Sequence, residues 1–99
     1  MKNKKFQVMI TGAGGFIGGN LSNYLSNKYN IVGYYNSKLR VKLKKKIKLK
    51  KKNLKKIKKI GKNVRILIHC ASVVPPNNKQ SSCFKANTLM DSALIRTIK

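Results

Sequence analysis

Three glycines spaced three residues apart are the part of the sequence whose residue types and spacing best suit a chemical task. Gly12 would allow a turn with positive φ, Gly15 would let the backbone approach a pyrophosphate without a Cβ in the way, and Gly18 would let a helix pack closely on a strand. The N–H groups and the dipole of a following helix would then favour a bound diphosphate. The spacing predicts a dinucleotide-binding turn, and a glycine-rich connection without a ligand is the alternative.

The segments on either side of the glycines must position this turn. Residues 6–11 are a short apolar run with a β-branched end, which predicts a buried first strand. After the glycines, apolar residues recur at helical spacing with polar residues opposite, which predicts a helix from Gly15 to Ser26 that packs on this strand. A strand before and a helix after favour the ligand-binding interpretation. The candidate cofactor-binding residues of this unit are Gly12, Gly14, Gly15, Phe16, Ile17 and Gly18.

The end of the next strand bears on the choice of cofactor. Residues 31–35 are short and β-prone, and they predict a second strand parallel to the first. An acid after this strand binds the ribose hydroxyls of NAD, whereas a cation accommodates the 2′-phosphate of NADP. The chain has no acid there, so NAD or NADP is predicted with a lean to NADP. The residues that offer donors and positive charge are Asn36, Ser37, Lys38 and Arg40.

Three segments of the chain resemble one known family. Residues 11–18 read Thr-Gly-x-x-Gly-x-x-Gly with Phe-Ile before the last glycine. This is similar to the nucleotide loop of extended short-chain dehydrogenases/reductases, the NAD(P)-dependent epimerase/dehydratase group. Residues 66–72 are similar to the family's fourth strand and the small residues after it, and residues 84–88 resemble the Asn-bearing start of the next long helix. Family members are roughly three times longer, so the resemblance predicts that residues 1–99 are a truncated N-terminal NAD(P)-binding half.

The resemblance implies a fold and a chemistry. The fold is α/β, a partial Rossmann fold with a parallel sheet of about four strands flanked by helices on both faces. The chemistry is that of an oxidoreductase or isomerase acting on a nucleotide-activated sugar, with the substrate domain absent. Ala71 and Ser72 are small enough for the backbone to pass close to the cofactor, and His69 is interpreted as structural rather than catalytic. The acid with which the family contacts adenine has no counterpart at residues 51–53.

The family's catalytic pair has no counterpart in a usable position. The chemistry needs a Tyr as general acid/base and a Lys four residues later that lowers its pKa. Tyr24 with Lys28 and Tyr34 with Lys38 have this spacing. The first pair lies in the predicted helix after the glycines and the second at the end of the second strand, so both are interpreted as chance. No catalytic residue is therefore predicted, and the chain alone is not expected to be catalytically competent.

Lysines dominate residues 38–62. The formal net charge of the chain is +23, with Asp91 as the single acid. Apolar residues in this stretch alternate at period two near residues 39–49 and step by three at residues 54–60, while a long basic amphipathic helix fits nearly as well. The resemblance favours a third strand around residues 47–49 and a short helix over residues 54–60.

The same lysines suggest a second class of function. Lysines neutralise phosphates and release counterions, which gives salt-sensitive affinity that is blind to sequence. A non-enzymatic basic protein that binds polyanions, either nucleic acid or an anionic membrane surface, is therefore the alternative to a dinucleotide-binding enzyme fragment. The stretch has no aromatic residue between Asn36 and Phe84 to stack on bases. A solvated face enriched in lysine by an A/T-rich coding sequence explains the charge without any selected function.

Two further elements are predicted. Residues 65–69 form an apolar run that suits a strand buried on both faces of a parallel sheet. A last helix begins with Ser81 or Ser82 as its N-cap and is apolar around much of its circumference. In the resembled family this helix often contributes to a dimer interface, so a homodimer is predicted.

The remaining composition excludes several classes of protein. Cys70 and Cys83 form no Cys-x-x-Cys pair, and His69 is the single histidine, so neither a disulfide framework nor a zinc site is supported. No apolar run approaches the ~20 residues that span a bilayer, and the N-terminus has no signal-peptide core. Reduced thiols and a cytoplasmic location are expected.

Overall fold

The computed structural model describes residues 3–71 and 80–98. The chain divides into two compact units. The first comprises Met1–Lys52 and Gly61–Ala71, and the second comprises Asn53–Ile60 and Ser72–Lys99. The first unit contains a sheet and one helix, and the second contains a short 3₁₀ turn and one long helix.

The sheet of the first unit has four parallel strands in the order β3-β2-β1-β4. The prediction of an α/β fold with about four parallel strands is confirmed. β2, β3 and β4 lie close to their predicted positions, and β1 begins before the predicted residues. The elements of this unit are β1 (Asn3–Thr11), α1 (Phe16–Leu25), β2 (Tyr29–Tyr35), β3 (Lys48–Lys51) and β4 (Val64–His69).

One face of the sheet and α1 form the core of this unit. Val8 and Ile10 of β1 alternate with residues of the opposite face, as the two-residue period of a strand requires. Ile31 of β2 joins them, and Leu21 and Leu25 of α1 pack against this cluster. These two leucines are four residues apart, so they share one side of the helix. The predicted packing of the first helix on the first strand is confirmed.

Residues 36–47 connect β2 to β3 without regular secondary structure. The period-two pattern of residues 39–43 forms no strand, and the alternative of a long basic helix is wrong. Instead, the side chain of Asn23 on α1 fixes this connection: its Nδ2 donates to the Lys42 carbonyl and its Oδ1 accepts from the Lys44 N–H, both at 2.9 Å. Like charges four residues apart oppose a helix here, while the Asn23 hydrogen bonds hold an irregular path that includes a turn at residues 45 and 46.

β4 differs from the sequence prediction in its burial. Ile66 is 45% exposed, and Arg65 is also exposed, so this strand is not buried on both faces. In the described sheet β4 pairs only with β1 and forms the edge. A strand formed by an apolar run is buried on both faces only where neighbouring strands and helices cover it.

The second unit contains a 3₁₀ turn, Leu54–Lys56, and α2, Gln80–Ile98, which contact each other. The predicted helix over residues 54–60 is only this one turn, and the Asn53 side chain caps it by accepting the Lys55 N–H at 3.0 Å. α2 begins before the predicted N-cap serines, so both serines lie within the helix.

Within the described residues, no helix is both long and apolar enough to span a membrane.

Candidate dinucleotide site

The turn between β1 and α1 has the geometry that its first glycine was predicted to allow. Gly12 has a φ of 72°, in the left-handed region that favours glycine. The Gly15 N–H donates to the Gly12 carbonyl at 3.0 Å and closes the turn. A Cβ on Gly12 would lie 2.6 Å from the backbone nitrogen of Ala71. The first glycine thus allows both the turn and the close passage of the segment after β4.

The other two glycines of the motif differ in what a side chain would meet. A Cβ on Gly18 would collide with the Gly12 carbonyl, so this glycine permits the close packing of α1 on the turn. A Cβ on Gly15 would meet only the Gly12 oxygen, at an ordinary van der Waals distance of 3.5 Å. Because Gly15 has an extended backbone with a φ of −86°, any residue could adopt its conformation. The protein itself does not require glycine there, which fits a requirement imposed by a ligand.

The N-terminus of α1 presents donors beside Gly15. The Gly19 N–H donates to the Gly15 carbonyl at 2.8 Å, so the N–H groups of Phe16 and Ile17 precede the first intrahelical hydrogen bond. Both side chains are exposed, by 73% and 71%. The open space above Gly15 and these N–H groups together fit a diphosphate, whose charge the helix dipole favours.

The segment after β2 passes over the middle of the turn. The Arg40 N–H donates to the Gly14 carbonyl at 2.7 Å, and a Cβ on Gly14 would collide with the Lys38 carbonyl. Gly14 is therefore glycine because another backbone crosses it. Asn36 and Lys38 are exposed, and both follow directly from the carboxyl end of β2. The predicted cofactor-selecting residues thus begin beside the glycine turn.

Thr11, the last residue of β1, is a site residue that the sequence analysis did not single out. Its side-chain oxygen accepts the N–H groups of Cys70 and Ala71 at 3.1 and 3.2 Å, and it lies 2.6 Å from Nδ1 of His69. The residue is fully buried. A buried threonine hydroxyl at the end of a strand needs hydrogen-bond partners. This requirement could have indicated, from the sequence, that Thr11 bonds to another segment.

The segment after β4 supplies the remaining predicted residues. The backbone of Ala71 lies against Gly12, and its predicted approach to the cofactor stays a prediction. Ser72, the other predicted residue of this segment, lies outside the described residues, as does the proline-containing loop after it. Cys70 is a free thiol, and burial raises its pKa. The hydrogen bond of His69 to Thr11 supports the structural interpretation of this histidine.

The structure brings most of the predicted binding residues to one end of the sheet. Gly12, Lys38 and Ala71 follow β1, β2 and β4, and the carboxyl ends of parallel strands are where ligands bind in such folds. The two Tyr-x-x-x-Lys pairs, which were interpreted as chance, do not place their tyrosines together in one site. Tyr24 is 74% exposed on α1, whereas Tyr34 is buried with the amine of Lys50 over its ring.

Among the described residues, no three His, Cys, Asp or Glu side chains group as metal ligands.

A parallel sheet whose first strand leads through a glycine turn into a helix is the nucleotide-binding half of a Rossmann-type fold. The model of the NAD dependent epimerase/dehydratase family matches residues 8–99, and the chain belongs to this family. No curated protein gives a significant sequence match.

A solved structure supports the fold. It is described as a novel NAD dependent-NDP-hexosamine 5,6-dehydratase, TunA, involved in tunicamycin biosynthesis, and the TM-score is 0.65 at 22% sequence identity. The match covers 90% of this chain and 33% of that one. The present chain thus corresponds to a third of the dehydratase.

Proposed function

We propose that the chain is the NAD(P)-binding part of an epimerase/dehydratase that acts on a nucleotide-activated sugar. Family membership and the strand-turn-helix geometry support the cofactor class. The similar solved structure, by its description, is an NAD-dependent dehydratase of an NDP-hexosamine, which supports the substrate class. A cytoplasmic location is part of the proposal, since the free Cys70 thiol suits a reducing compartment.

Gly15 is the observation that carries the proposal. Nothing in the protein obstructs a side chain at this position, and its backbone conformation is open to any residue. A diphosphate seated on the N-terminus of α1 would need this space. When bound, the cofactor would accept or donate a hydride. The role of the turn is to hold the diphosphate and so to fix the position of the rest of the molecule.

A lean to NADP is the finer part of the proposal. Residues 36–40 contain no acid, and the hydrogen bond from Arg40 to Gly14 holds this segment beside the turn. Lys38 and Arg40 would then neutralise a 2′-phosphate on the adenosine ribose. The double variant K38Q/R40Q should weaken NADP binding more than NAD binding in calorimetric titrations. K45Q/K46Q is a control with the same loss of charge, and it should affect both cofactors equally.

Calorimetric titration of the wild type and Gly15→Val tests the cofactor site. The branched side chain would occupy the space that the pyrophosphate needs, so binding should fall at least about tenfold, as for a loss above 1.4 kcal/mol. Thermal unfolding of both proteins shows whether the variant remains folded. Equal binding by two folded proteins would remove the cofactor assignment.

We also propose that this chain alone catalyses no hydride transfer. Tyr24 projects from α1 into solvent, and Tyr34 is buried in β2, so neither offers a positioned general acid/base. Spectrophotometric assays with NAD(P)H and nucleotide sugars should show no turnover. Cofactor-dependent turnover that disappears in Tyr24→Phe would contradict this proposal.

A homodimer through α2 completes the proposal. Ile95 and Ile98 of this helix are 53% and 62% exposed, and they lie within about 60° of each other around it. Such apolar side chains on one helix would be covered by the same helix of a second copy. Sedimentation equilibrium should show a dimer that Ile95→Asp dissociates. A monomer at all concentrations would exclude this arrangement.

A further inference from the structure

Lysine side chains project along one edge of the sheet of the first unit. β3 is the outermost strand on this side, and the irregular connection leads directly into it. We call the exposed lysines of residues 42–52 the basic edge. They are Lys42, Lys44, Lys45, Lys46, Lys48, Lys50, Lys51 and Lys52.

The backbone that carries the basic edge is held at several points. Asn23 bonds to the connection through both side-chain atoms, and β3 pairs in parallel with β2. The Lys52 N–H then donates to the Tyr35 carbonyl at 2.8 Å. The lysines therefore extend from a fixed backbone rather than from a flexible tail, so the charge is presented at low entropic cost.

Two of the three apolar residues between the lysines, Leu43 and Ile47, turn inward. Ile47 is 5% exposed and belongs to the core cluster, and Leu43 packs against that cluster. The same residues that anchor the connection thus force the neighbouring lysines outward. The third apolar residue, Leu49 on β3, is 37% exposed, so the outer side of this stretch is mainly but not entirely cationic.

The basic edge has no acidic partner within its own unit. Asp91 is the single acidic residue of the chain, and it belongs to the second unit. The contacts of two of the lysines are to neutral groups: the Lys44 amine donates to the Asn27 side-chain oxygen at 2.9 Å, and the Lys50 amine lies 5.9 Å from the centre of the Tyr34 ring. Within the first unit no carboxylate offsets the mutual repulsion of these cations, and anions from solution would relieve it.

We propose that the basic edge binds the phosphate backbone of double-stranded nucleic acid. A duplex presents a dense, regular line of phosphates, and each lysine contact releases condensed counterions. The edge has no aromatic side chain between Asn36 and Phe84 on which unpaired bases could stack, which disfavours a single strand. Lysine amines also lack the forked geometry that reads base edges, so binding is independent of sequence.

Two variants with equal loss of charge test the location of this surface. K45Q/K46Q/K48Q removes three cations of the basic edge. K55Q/K56Q/K58Q removes three exposed cations from the second unit, where they line a cavity of about 400 Å³. All six side chains are exposed, and matching thermal unfolding curves would show that both variants are folded. Fluorescence anisotropy with a labelled duplex would then be measured over a salt series.

The basic-edge variant should bind the duplex at least about tenfold more weakly, and its slope of log affinity against log salt should decrease by up to about 2.7, at about 0.9 for each lost contact. The second-unit variant should change little. Equal losses would show that net charge alone determines binding and would overturn the proposal, as would a larger loss in the second-unit variant. Tighter binding to a single strand, or to vesicles of phosphatidylserine, would overturn the assignment to a duplex.

Discussion

The hydroxyl of Thr11 lies 2.6 Å from Nδ1 of His69, a residue 58 positions later in the chain. A threonine hydroxyl has two lone pairs and one hydrogen. The N–H groups of Cys70 and Ala71 use the lone pairs, so the hydrogen is directed to the histidine. Nδ1 therefore accepts, and the ring proton lies on Nε2. One buried side chain thus links the end of β1 to the segment after β4.

The tautomer of His69 follows from this arrangement. In its neutral form the ring should carry its proton on Nε2, because Nδ1 accepts from Thr11. The ¹⁵N chemical shifts of the single histidine report the tautomer directly. Thr11→Val serves as the comparison, since it lacks the donor and should allow both tautomers. A wild-type ring protonated at Nδ1 would contradict the hydrogen-bond assignment.

Replacing Thr11 should destabilise the first unit. Thr11→Val keeps the shape but removes the hydroxyl, which deprives the Ala71 N–H of its acceptor, while the Cys70 N–H keeps the Thr11 carbonyl at 3.2 Å. The change should cost about 1–3 kcal/mol in the free energy of unfolding. Thr11→Ser retains the hydroxyl and should recover most of that loss. Urea unfolding followed by circular dichroism measures both values. Identical stabilities for the valine and serine variants would show that the hydroxyl is unimportant.

Alanine should have different effects on stability at two glycines of the turn. Gly18→Ala places a Cβ against the Gly12 carbonyl, and it should destabilise the protein by about 1–3 kcal/mol. Gly15→Ala meets only ordinary contacts, so unfolding should change by less than about 0.5 kcal/mol, as for a substitution at an open site. Thermal unfolding of the two variants provides the measurement. A large loss of stability in Gly15→Ala would show that the fold itself requires that glycine.

Asn23 should stabilise the connection between β2 and β3. Asn23→Ala removes two hydrogen bonds to the backbone of residues 42 and 44, and it should cost about 1 kcal/mol. Asn20→Ala is the matched control, because the Asn20 side chain bonds only locally, to the Phe16 carbonyl one turn earlier in α1. Amide hydrogen exchange of residues 42–47 should accelerate in the first variant alone. Unchanged exchange would mean that other contacts hold the connection.

The reactivity of Cys70 should depend on pH in a stated direction. Burial raises the pKa of its thiol, so the nucleophilic thiolate forms at higher pH than in the unfolded chain. The pKa of a thiol in an unfolded chain is about 8.5. Because the folded protein keeps its proton to higher pH than the unfolded chain, the thiol favours the folded state. This contribution to the free energy of unfolding is fully present below the unfolded pKa and is lost as pH rises through the folded pKa. Rates of alkylation by iodoacetamide against pH, measured on Cys83→Ser, report this thiol alone.

The alkylation experiment needs a control for the charge of the protein. A salt concentration of about 0.3 M shortens the Debye length below about 8 Å and suppresses the influence of the lysines. The same variant in urea gives the unfolded reference. A folded midpoint at or below that reference would contradict the effect of burial.

The amino-acid sequence by itself determined the glycine-rich turn and the elements beside it. The roles of Gly12 and Gly18 follow from local sterics, and the apolar periods of β1 and α1 are visible within a few residues. Information of this kind is local, so it can be read without knowing which distant segments meet. The four parallel strands also followed: three have their own apolar runs, and the resemblance to a family decided between a strand and a helix for β3.

The tertiary structure alone decided features that depend on partners far apart in the chain. The acceptor role of Thr11 requires residues after β4, and the role of Gly14 requires the backbone of Lys38. The lysine stretch fitted either strands or a helix by period, and Asn23 holds its first part in an irregular path instead. β4 reads as buried from its composition, yet Ile66 is 45% exposed because burial depends on neighbours that a strand does not encode in its own sequence.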